Sequence, residues 1–182
     1  MGAMVVAQSD FLVVEKLKDG REVVLRPLRD GDRETLTTVW SHLSPLSIYH
    51  RFFSPKKALS ESDLSYLSHV DFKKHVALTV CARLADGTEE PVAIGRYIVL
   101  DEDPEKAEIA FTVDDPYQGL GIGTILMRHL AIIGKAAGLK AFKAYVLGEN
   151  YRMLRVFARS GLTMTRSMAD GSTCEVELSL DY

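Results

Sequence analysis

Cysteine is scarce in this sequence, since only Cys81 and Cys174 occur among its 182 residues. Two cysteines cannot form a disulfide framework, and free thiols fit a reducing compartment, so we expect a cytoplasmic protein. Apolar runs long enough to cross a bilayer are also missing, because charged residues interrupt them every few positions. The N-terminus lacks the basic patch and apolar run of a secretory signal. We therefore expect neither a membrane span nor export.

An excess of basic residues is missing as well. The 22 Lys and Arg residues face 25 Asp and Glu residues, which gives a formal net charge of -3 at pH 7. Proteins that bind nucleic acid through overall charge are usually basic, so nucleic acid is not an expected partner. The 5 histidines share no metal-ligand spacing with cysteine or carboxylate residues, so no metal site is predicted. With 47% hydrophobic and 26% charged residues, the composition is that of a globular domain.

The order of the predicted elements is that of an α+β domain. Asp19-Gly20 predicts a tight turn between two short extended runs near the N-terminus. Three helical patterns follow, and a period of two then marks three strands joined by turns. The helices are predicted at residues 32–43, 47–53, from 60 onward, 121–137 and 150–160. We expect a mixed, mostly antiparallel central sheet with helices on both faces. The domain is predicted at 22–182, after an N-terminal extension or hairpin strand at 1–21.

The segment from Asp114 to Thr124 carries the most chemical information. It runs from the end of a strand into a helix and has alternating glycines at positions 119, 121 and 123. Glycine lets the backbone approach a ligand closely. The unpaired N–H groups of the first helical turn, together with the helix dipole, favour an anion, typically a phosphate. No lysine occurs in the loop, and the Gly-Lys-Ser/Thr ending of a P-loop is missing. The alternative is a glycine turn that only packs a helix against a strand.

A dinucleotide-binding loop is the rival interpretation of the same glycines. Gly119, Gly121 and Thr124 imitate the pattern Gly-x-Gly-x-x-Gly, and Glu149 follows the next strand as a candidate ribose ligand. However, Glu149 lies about 30 residues after Gly119, where about 20 is expected. The preceding strands are also predicted as a meander rather than as βαβ units. A nicotinamide-dependent oxidoreductase is therefore the less favoured class.

The glycine loop also resembles a known motif. Gln118-Gly119-Leu120-Gly121-Ile122-Gly123 is similar to the Q/R-x-x-G-x-G/A pyrophosphate loop of the GNAT superfamily of N-acetyltransferases. The strand at 107–113 and the strand and helix at 146–162 resemble the family's flanking elements, and the resemblance covers about residues 22–180. It implies a GNAT-like (acyl-CoA N-acyltransferase) fold, acetyl-CoA as the acyl donor and an amine as the acceptor. The cofactor-binding residues that it implies are Phe111, Thr112, Val113, Gln118, Gly119, Leu120, Gly121, Ile122, Gly123, Thr124 and Asn150, the last of which is also placed to cap a helix.

Glu108 is the candidate general base. An alkyl amine with a pKa near ~10.4 is mostly protonated at neutral pH, so its attack on a thioester needs a base that acts directly or through water. In the predicted strand, Glu108 lies on the face opposite the uniformly apolar one, five residues before Val113. That separation is about 17 Å at strand rise, comparable to the reach of the pantetheine arm. The alternative is a surface carboxylate paired with Arg96 or Lys106. The resemblance favours the base, because similar proteins in one subgroup use a glutamate at this place.

One position departs from the family pattern. Many relatives carry a tyrosine seven residues after the asparagine, where it is thought to protonate the departing thiolate, and here that position is Phe157. A CoA thiolate is a reasonable leaving group, so transfer does not require a dedicated acid. The departure keeps a second class open, namely a non-catalytic acyl-CoA-binding sensor or interaction module with the same fold.

The aromatic stretch at residues 47–53 has two interpretations. Its spacing predicts an amphipathic helix with aromatic side chains in the core. The run is also similar to the Tyr-x-Arg-Phe-Phe stretch of bacterial GNAT enzymes that acetylate protein lysines, which implies an acceptor-side wall of Tyr49, Arg51 and Phe52. We therefore expect an N-acetyltransferase that moves an acetyl group to a primary amine by direct attack. Protein lysine is favoured over a small molecule, and a homodimer is compatible with the sequence.

Overall fold

Alternating apolar residues build an eight-stranded sheet, which dominates the computed structural model of residues 12–181. The strands are β1 (Val13–Lys16), β2 (Glu22–Pro27), β3 (His75–Arg83), β4 (Glu89–Val99), β5 (Lys106–Val113), β6 (Ala141–Leu147), β7 (Thr163–Met168) and β8 (Thr173–Ser179). Their order across the sheet is β1-β2-β3-β4-β5-β6-β8-β7, and β5–β6 is the parallel pair in an otherwise antiparallel sheet. The predicted mixed, mostly antiparallel architecture is confirmed.

Five helices within residues 12–181 cover the two faces of the sheet. They are α1 (Arg33–Ser41), α2 (Pro45–Phe52), α3 (Glu61–Ser68), α4 (Ile122–Ala136) and α5 (Tyr151–Ala158). The larger core lies under α4 and α5 and includes Leu126 and Phe157. A smaller core lies on the opposite face under α1 and α3 and includes Val39 and Leu67. In the part of the chain that the structure describes, no helix has the length and apolarity that a bilayer span requires.

The hairpin predicted at Asp19-Gly20 is present, because β1 pairs with β2 in antiparallel register and Gly20 has a φ of +90°. β1 is thereby an edge strand of the same sheet as the rest of the described chain. Residues 1–11 of the predicted N-terminal extension lie outside the described residues, as does residue 182. The boundary at residue 21 stays a prediction.

The helix predicted at residues 47–53 begins earlier in the structure. Pro45 is the first residue of α2, and the hydroxyl of Ser44 caps the helix by accepting a hydrogen bond from the N–H of Ser47. Proline suits the first helical position because its missing N–H would have no intrahelical acceptor there. This start places α2 against the carboxyl end of β5, where it forms one wall of the site.

The glycine-rich loop lies in the β5–α4–β6 crossover, whose two strands are parallel, but the strands before it are not arranged as βαβ units. β3, β4 and β5 form an antiparallel meander before it, with Gly95 of β4 paired to Phe111 of β5. A dinucleotide-binding fold places its glycine loop after the first strand of parallel βαβ units. The described sheet has one parallel pair and is otherwise antiparallel, which argues against the oxidoreductase interpretation.

β5 and β6 separate along their length, and this separation positions the site. They pair in parallel only at 106–108 with 141–143. Beyond Glu108, β5 stays paired with β4 as far as Val113, while β6 stays paired with β8. The two strands thus diverge and leave a wedge between their edges. Backbone groups along such a wedge lack a strand partner and are available to a ligand.

Candidate active site

The wedge between β5 and β6 is a cleft of ≈ 180 Å³. Its walls are β5 from Glu108 to Val113, the start of α4, parts of α2 and α5, and the facing part of β6. The predicted cofactor residues that line it are Phe111, Thr112, Val113, Gln118, Gly119, Gly121, Ile122, Gly123 and Asn150. Leu120 and Thr124 are not part of this lining. Leu120 packs against the larger core instead, and Thr124 is exposed on the first turn of α4.

Glycine backbone conformation shapes the loop. Gly119 and Gly121 have φ values of +76° and +99°, which other residues adopt only at a cost of about 1–2 kcal/mol. Gly123 is needed for a different reason, because a Cβ there would lie 3.1 Å from the side chain of Val156 on α5. Gly121 caps α4 without a side-chain hydrogen bond, so the first N–H groups of the helix have no intrahelical acceptor. This cradle fits a diphosphate.

A cation reaches the loop from a distant part of the chain. The N–H of Lys18, in the β1–β2 turn, donates to the carbonyl of Leu120 at 3.0 Å. The aliphatic part of the Lys18 side chain lies 3.7 Å from the place of a Cβ on Gly121. Arg21 of the same turn stacks on the ring of Tyr117, with its Cζ 4.8 Å from the ring centroid. Sequence reasoning found no lysine in the loop and missed this one, because the turn signal does not show what the turn packs against.

Gln118 holds three elements together at the mouth of the cleft. Its Nε2 donates to the carbonyl of Val113 and to the hydroxyl of Ser47, each at 3.0 Å. Its Oε1 accepts from Nη1 of Arg152 at 2.8 Å. These bonds connect the end of β5 with α2 and α5. Gln118 therefore positions the loop, and its direct contact with the cofactor stays a prediction.

Glu108 lies at the vertex where β5 and β6 part. Its side chain is exposed and lines the cleft. The two partners of the alternative interpretation are engaged elsewhere. Lys106 pairs with Glu177 at 3.2 Å, and Nη1 of Arg96 donates to the carbonyl of Leu67 at 2.7 Å. Among the residues that the structure describes, Glu108 has no ion pair within 4.0 Å, so its carboxylate is open to an incoming amine.

The far wall of the cleft is formed by α5 and β6. Asn150 caps α5, since its Oδ1 accepts from the N–H of Met153 at 3.3 Å, and this predicted capping role is confirmed. Phe157 is 1% exposed, and its ring centroid lies 6.0 Å from that of Phe111. The two rings close the floor of the cleft. Tyr145 of β6 also lines it and is 40% exposed, a position that follows from strand divergence rather than from any motif.

Of the three α2 side chains predicted to form the acceptor-side wall, one lines the cleft. Arg51 lines the cleft, whereas Tyr49 and Phe52 do not. Tyr49 borders a separate concavity beside the end of β6, because residues two apart on a helix face different sides. Phe52 packs against Trp40 with ring centroids 5.5 Å apart, in the smaller core. The other α2 or adjoining side chains that line the cleft are Ser47, His50 and Phe53.

Two arginines, Arg51 and Arg96, lie close together on the α2 side of the cleft. Burial, and then the charge of Arg51, lower the pKa of Arg96 to about 9. Burial also lowers the pKa of Arg51, while the Glu108 carboxylate acts in the opposite direction. Burial and the Arg96 charge lower the pKa of His75 to about 4, so its neutral Nε2 accepts from Nη1 of Arg96 at 2.9 Å. Within residues 12–181, no group of three or more His, Cys, Asp or Glu side chains is arranged to hold a metal ion.

Comparisons with known proteins agree with this geometry. A family model described as "Acetyltransferase (GNAT) family" matches residues 45–162. Acetyltransferase PA5475 of Pseudomonas aeruginosa is 32% identical over 167 residues, which cover 92% of this chain and 89% of that protein. Acetyltransferase Pat of Mycolicibacterium smegmatis is 33% identical over 152 residues. That match covers 83% of this chain but only 44% of Pat, so the chain spans less than half of its length. Among solved structures, the GNAT domain of S. lividans PAT matches with a TM-score of 0.81 and 31% identity, over 92% of this chain and 96% of that one.

Proposed function

The chain belongs to the Acetyltransferase (GNAT) family, whose members take acetyl-CoA as the donor, and we propose that its Glu108 is the general base for transfer to a primary amine. The observation that carries this proposal is the position of Glu108. It lies at the vertex of a cleft that also contains the glycine loop, and its carboxylate is exposed there. One cleft thus combines a cradle for the donor's phosphates with a base for the acceptor.

The loop side of the cleft supports binding of the donor's diphosphate. The first N–H groups of α4 and the helix dipole attract it, and Lys18 adds a positive charge beside Gly121. The β5 edge from Phe111 to Val113 has no β6 partner, so its backbone groups are available to the amides of the pantetheine arm. A backbone N–H in this segment can polarise the thioester carbonyl.

Glu108 acts on the acceptor. Its carboxylate takes a proton from the ammonium group, directly or through a water, and leaves a neutral amine. The amine nitrogen then attacks the thioester carbonyl, so that a C–N bond forms, the C–S bond breaks and CoA leaves as a thiolate. The second proton passes from the nitrogen to solvent or to the departing thiolate, which leaves a neutral amide. Phe157 occupies the position of the family's tyrosine, so the thiolate departs without an acid from α5. Holding the amine and the thioester together in one cleft supplies much of the rate.

The acceptor in this proposal is a protein lysine. The cleft is open at Glu108 and at Tyr145, which is 40% exposed, so a side chain presented by another protein has access. Lysine carries its amine on a flexible four-carbon stem that can reach a base at the vertex of a cleft. The similarity of residues 47–53 to lysine-acetylating GNAT enzymes supports the same choice.

Glu108→Gln tests the assignment of the base. This change keeps the shape of the side chain and removes the carboxylate, so we expect kcat at neutral pH to fall by about 10²–10⁴-fold, with the KM for acetyl-CoA unchanged. The loss should shrink as pH rises, because more of the acceptor is then already neutral. Glu102→Gln, an exposed carboxylate in the β4–β5 turn, is the matched control. A wild-type rate and pH profile in Glu108→Gln contradicts the role of Glu108.

A non-catalytic acyl-CoA-binding module is the second candidate. The buried phenyl ring of Phe157 favours it, because α5 supplies no hydroxyl at that place. This function predicts tight CoA binding with no thiol release in the presence of any amine. Measuring both quantities on the same preparation separates the two candidates.

A further inference from the structure

Arg51 and Arg96 are the two arginines that line a small cavity beside the main cleft. Arg96 is only 5% exposed, and its hydrogen bonds go to neutral groups, the carbonyl of Leu67 and Nε2 of His75. Within residues 12–181, neither guanidinium has a carboxylate within 4.0 Å. Arg51 is half-buried, whereas Arg96 is buried. A buried charge without an ionic partner is unfavourable, so an anion from outside the chain would be held beside Arg96.

A small cavity provides the place for such an anion. It has a volume of ≈ 30 Å³, and both arginines line it. That volume holds about two water-sized groups, which matches the two oxygens of a carboxylate. The remaining wall is mostly apolar, with Trp40 and Phe52 as its largest side chains. Apolar walls exclude water and strengthen a charged hydrogen bond inside the cavity.

The cavity adjoins the reaction centre. Arg51 and Thr112 line both this cavity and the main cleft. Thr112 lies four residues after Glu108 on the same face of β5, which is about 13 Å along the strand. Glu108 is near enough to Arg51 for its charge to counteract the lowering of the Arg51 pKa. Guanidinium groups that can bind an anion and a carboxylate that can act as a base thus lie at two ends of one short path.

We propose that Arg51 and Arg96 form an anion subsite for the acceptor, so that the accepted amine belongs to a molecule that also carries a carboxylate. This inference rests on the proposed function, because it places the ammonium group at Glu108 in the same cleft. The acceptor is then zwitterionic, with its ammonium facing the glutamate and its carboxylate facing the arginines. Guanidinium groups bind carboxylates through paired hydrogen bonds, which suits this arrangement. The carboxylate comes from an acidic residue beside a protein lysine or from the α-carboxylate of a free amino acid.

Two matched pairs of acceptors test the subsite on the full chain. One pair is a short lysine peptide with Glu or Gln beside the lysine, and the other is free lysine against lysine amide. We expect kcat/KM to favour the carboxylate member by at least about tenfold in one pair, and that pair identifies the source. In Arg51→Gln the ratio should fall to near one. Arg159→Gln, an exposed arginine after α5, should keep the wild-type ratio.

Binding measured without turnover separates this inference from the proposed function. Each acceptor is titrated calorimetrically into the protein with CoA present. Tighter binding of a carboxylate member that is lost in Arg51→Gln sustains the subsite even when no thiol is released, and in that case the proposed function fails instead. Equal affinities within both pairs overturn the subsite, and so does a preference that persists in Arg51→Gln. Because Arg96 is buried and a variant there can fail to fold, the test depends on Arg51 and the wild-type protein.

Discussion

Gly121→Glu is the substitution that best distinguishes a phosphate cradle from a packing turn. Gly121 is the N-cap of α4 and has a φ of +99°. A non-glycine residue in this left-handed conformation costs about 1–2 kcal/mol. A Cβ there would meet only the Lys18 side chain, at an ordinary contact distance of 3.7 Å, so steric overlap adds little. Strain alone therefore predicts a modest loss of stability, and a large change in CoA affinity must come from the bulk and the charge of the new side chain in the cradle.

The size of that charge effect follows from Coulomb's law. A carboxylate about 5 Å from one phosphate charge costs about 0.8 kcal/mol at the dielectric constant of water and about 3 kcal/mol at an effective value of 20. A diphosphate carries at least two charges, so the total penalty is about 2–7 kcal/mol. We expect the Kd for CoA to rise about thirtyfold or more.

Gly138→Glu is the matched control for this experiment. Gly138 has a φ of +88°, and a Cβ there would meet no heavy atom within 4 Å. It follows the far end of α4, a helix of 15 residues, and so lies about 24 Å from Gly121. The same charge and strain at Gly138 should leave the Kd for CoA unchanged. Calorimetric titration of CoA measures both variants, after thermal unfolding has shown that each is folded. A wild-type Kd in folded Gly121→Glu removes the loop from the donor site.

Three further predictions follow from packing and charge. Lys18→Met should raise the Kd for CoA about two- to fivefold at low salt and less at high salt, and an unchanged Kd at low salt contradicts a role for this cation. Gly134→Ala should lower the free energy of unfolding by about 1–3 kcal/mol, although alanine usually stabilises helices, because its Cβ would lie 2.8 Å from the ring of Phe142. A denaturant titration that shows greater stability refutes this. His75→Gln should weaken the pH dependence of stability, because burial and then the Arg96 charge lower the pKa of His75 to about 4. Below pH 6.5 the unfolded chain takes up a proton that the folded chain does not, so the wild type loses up to about 1.4 kcal/mol per pH unit as pH falls toward 4. A constant stability difference between wild type and variant from pH 7 to pH 5 argues against this coupling.

Local features of the site could be predicted because their causes are local. Gly119 and Gly121 adopt positive φ values, which glycine spacing between a strand and a helix indicates directly. Asn150 caps α5 through the N–H of Met153, three residues on, as its position before a helical pattern indicates. Glu108 was placed on the correct face of β5, because side chains alternate strictly along a strand.

Contacts between distant segments could not be predicted in the same way. Lys18 reaches the glycine loop because the β1–β2 turn lies at the same end of the sheet as that loop, which depends on strand order. Arg96 lines the small cavity beside the cleft because of the register in which β4 pairs with β3 and β5. A sequence pattern does not show that register. The assignment of Tyr49 and Phe52 to the acceptor wall followed a motif rather than a helix face. The helical period places Ser47, His50 and Arg51 on one face of α2, and that face lines the cleft.

Release of CoA thiol from acetyl-CoA is the decisive assay for amine acetylation with Glu108 as the base. The wild-type protein and Glu108→Gln are compared, each with and without a mixed pool of amines and lysine-containing proteins. We expect release that requires an acceptor from the pool and falls sharply in Glu108→Gln, while both proteins bind CoA equally. CoA binding without release from any acceptor would contradict catalysis and favour the acyl-CoA-binding module, and undiminished release in Glu108→Gln would contradict the role of Glu108 as the base.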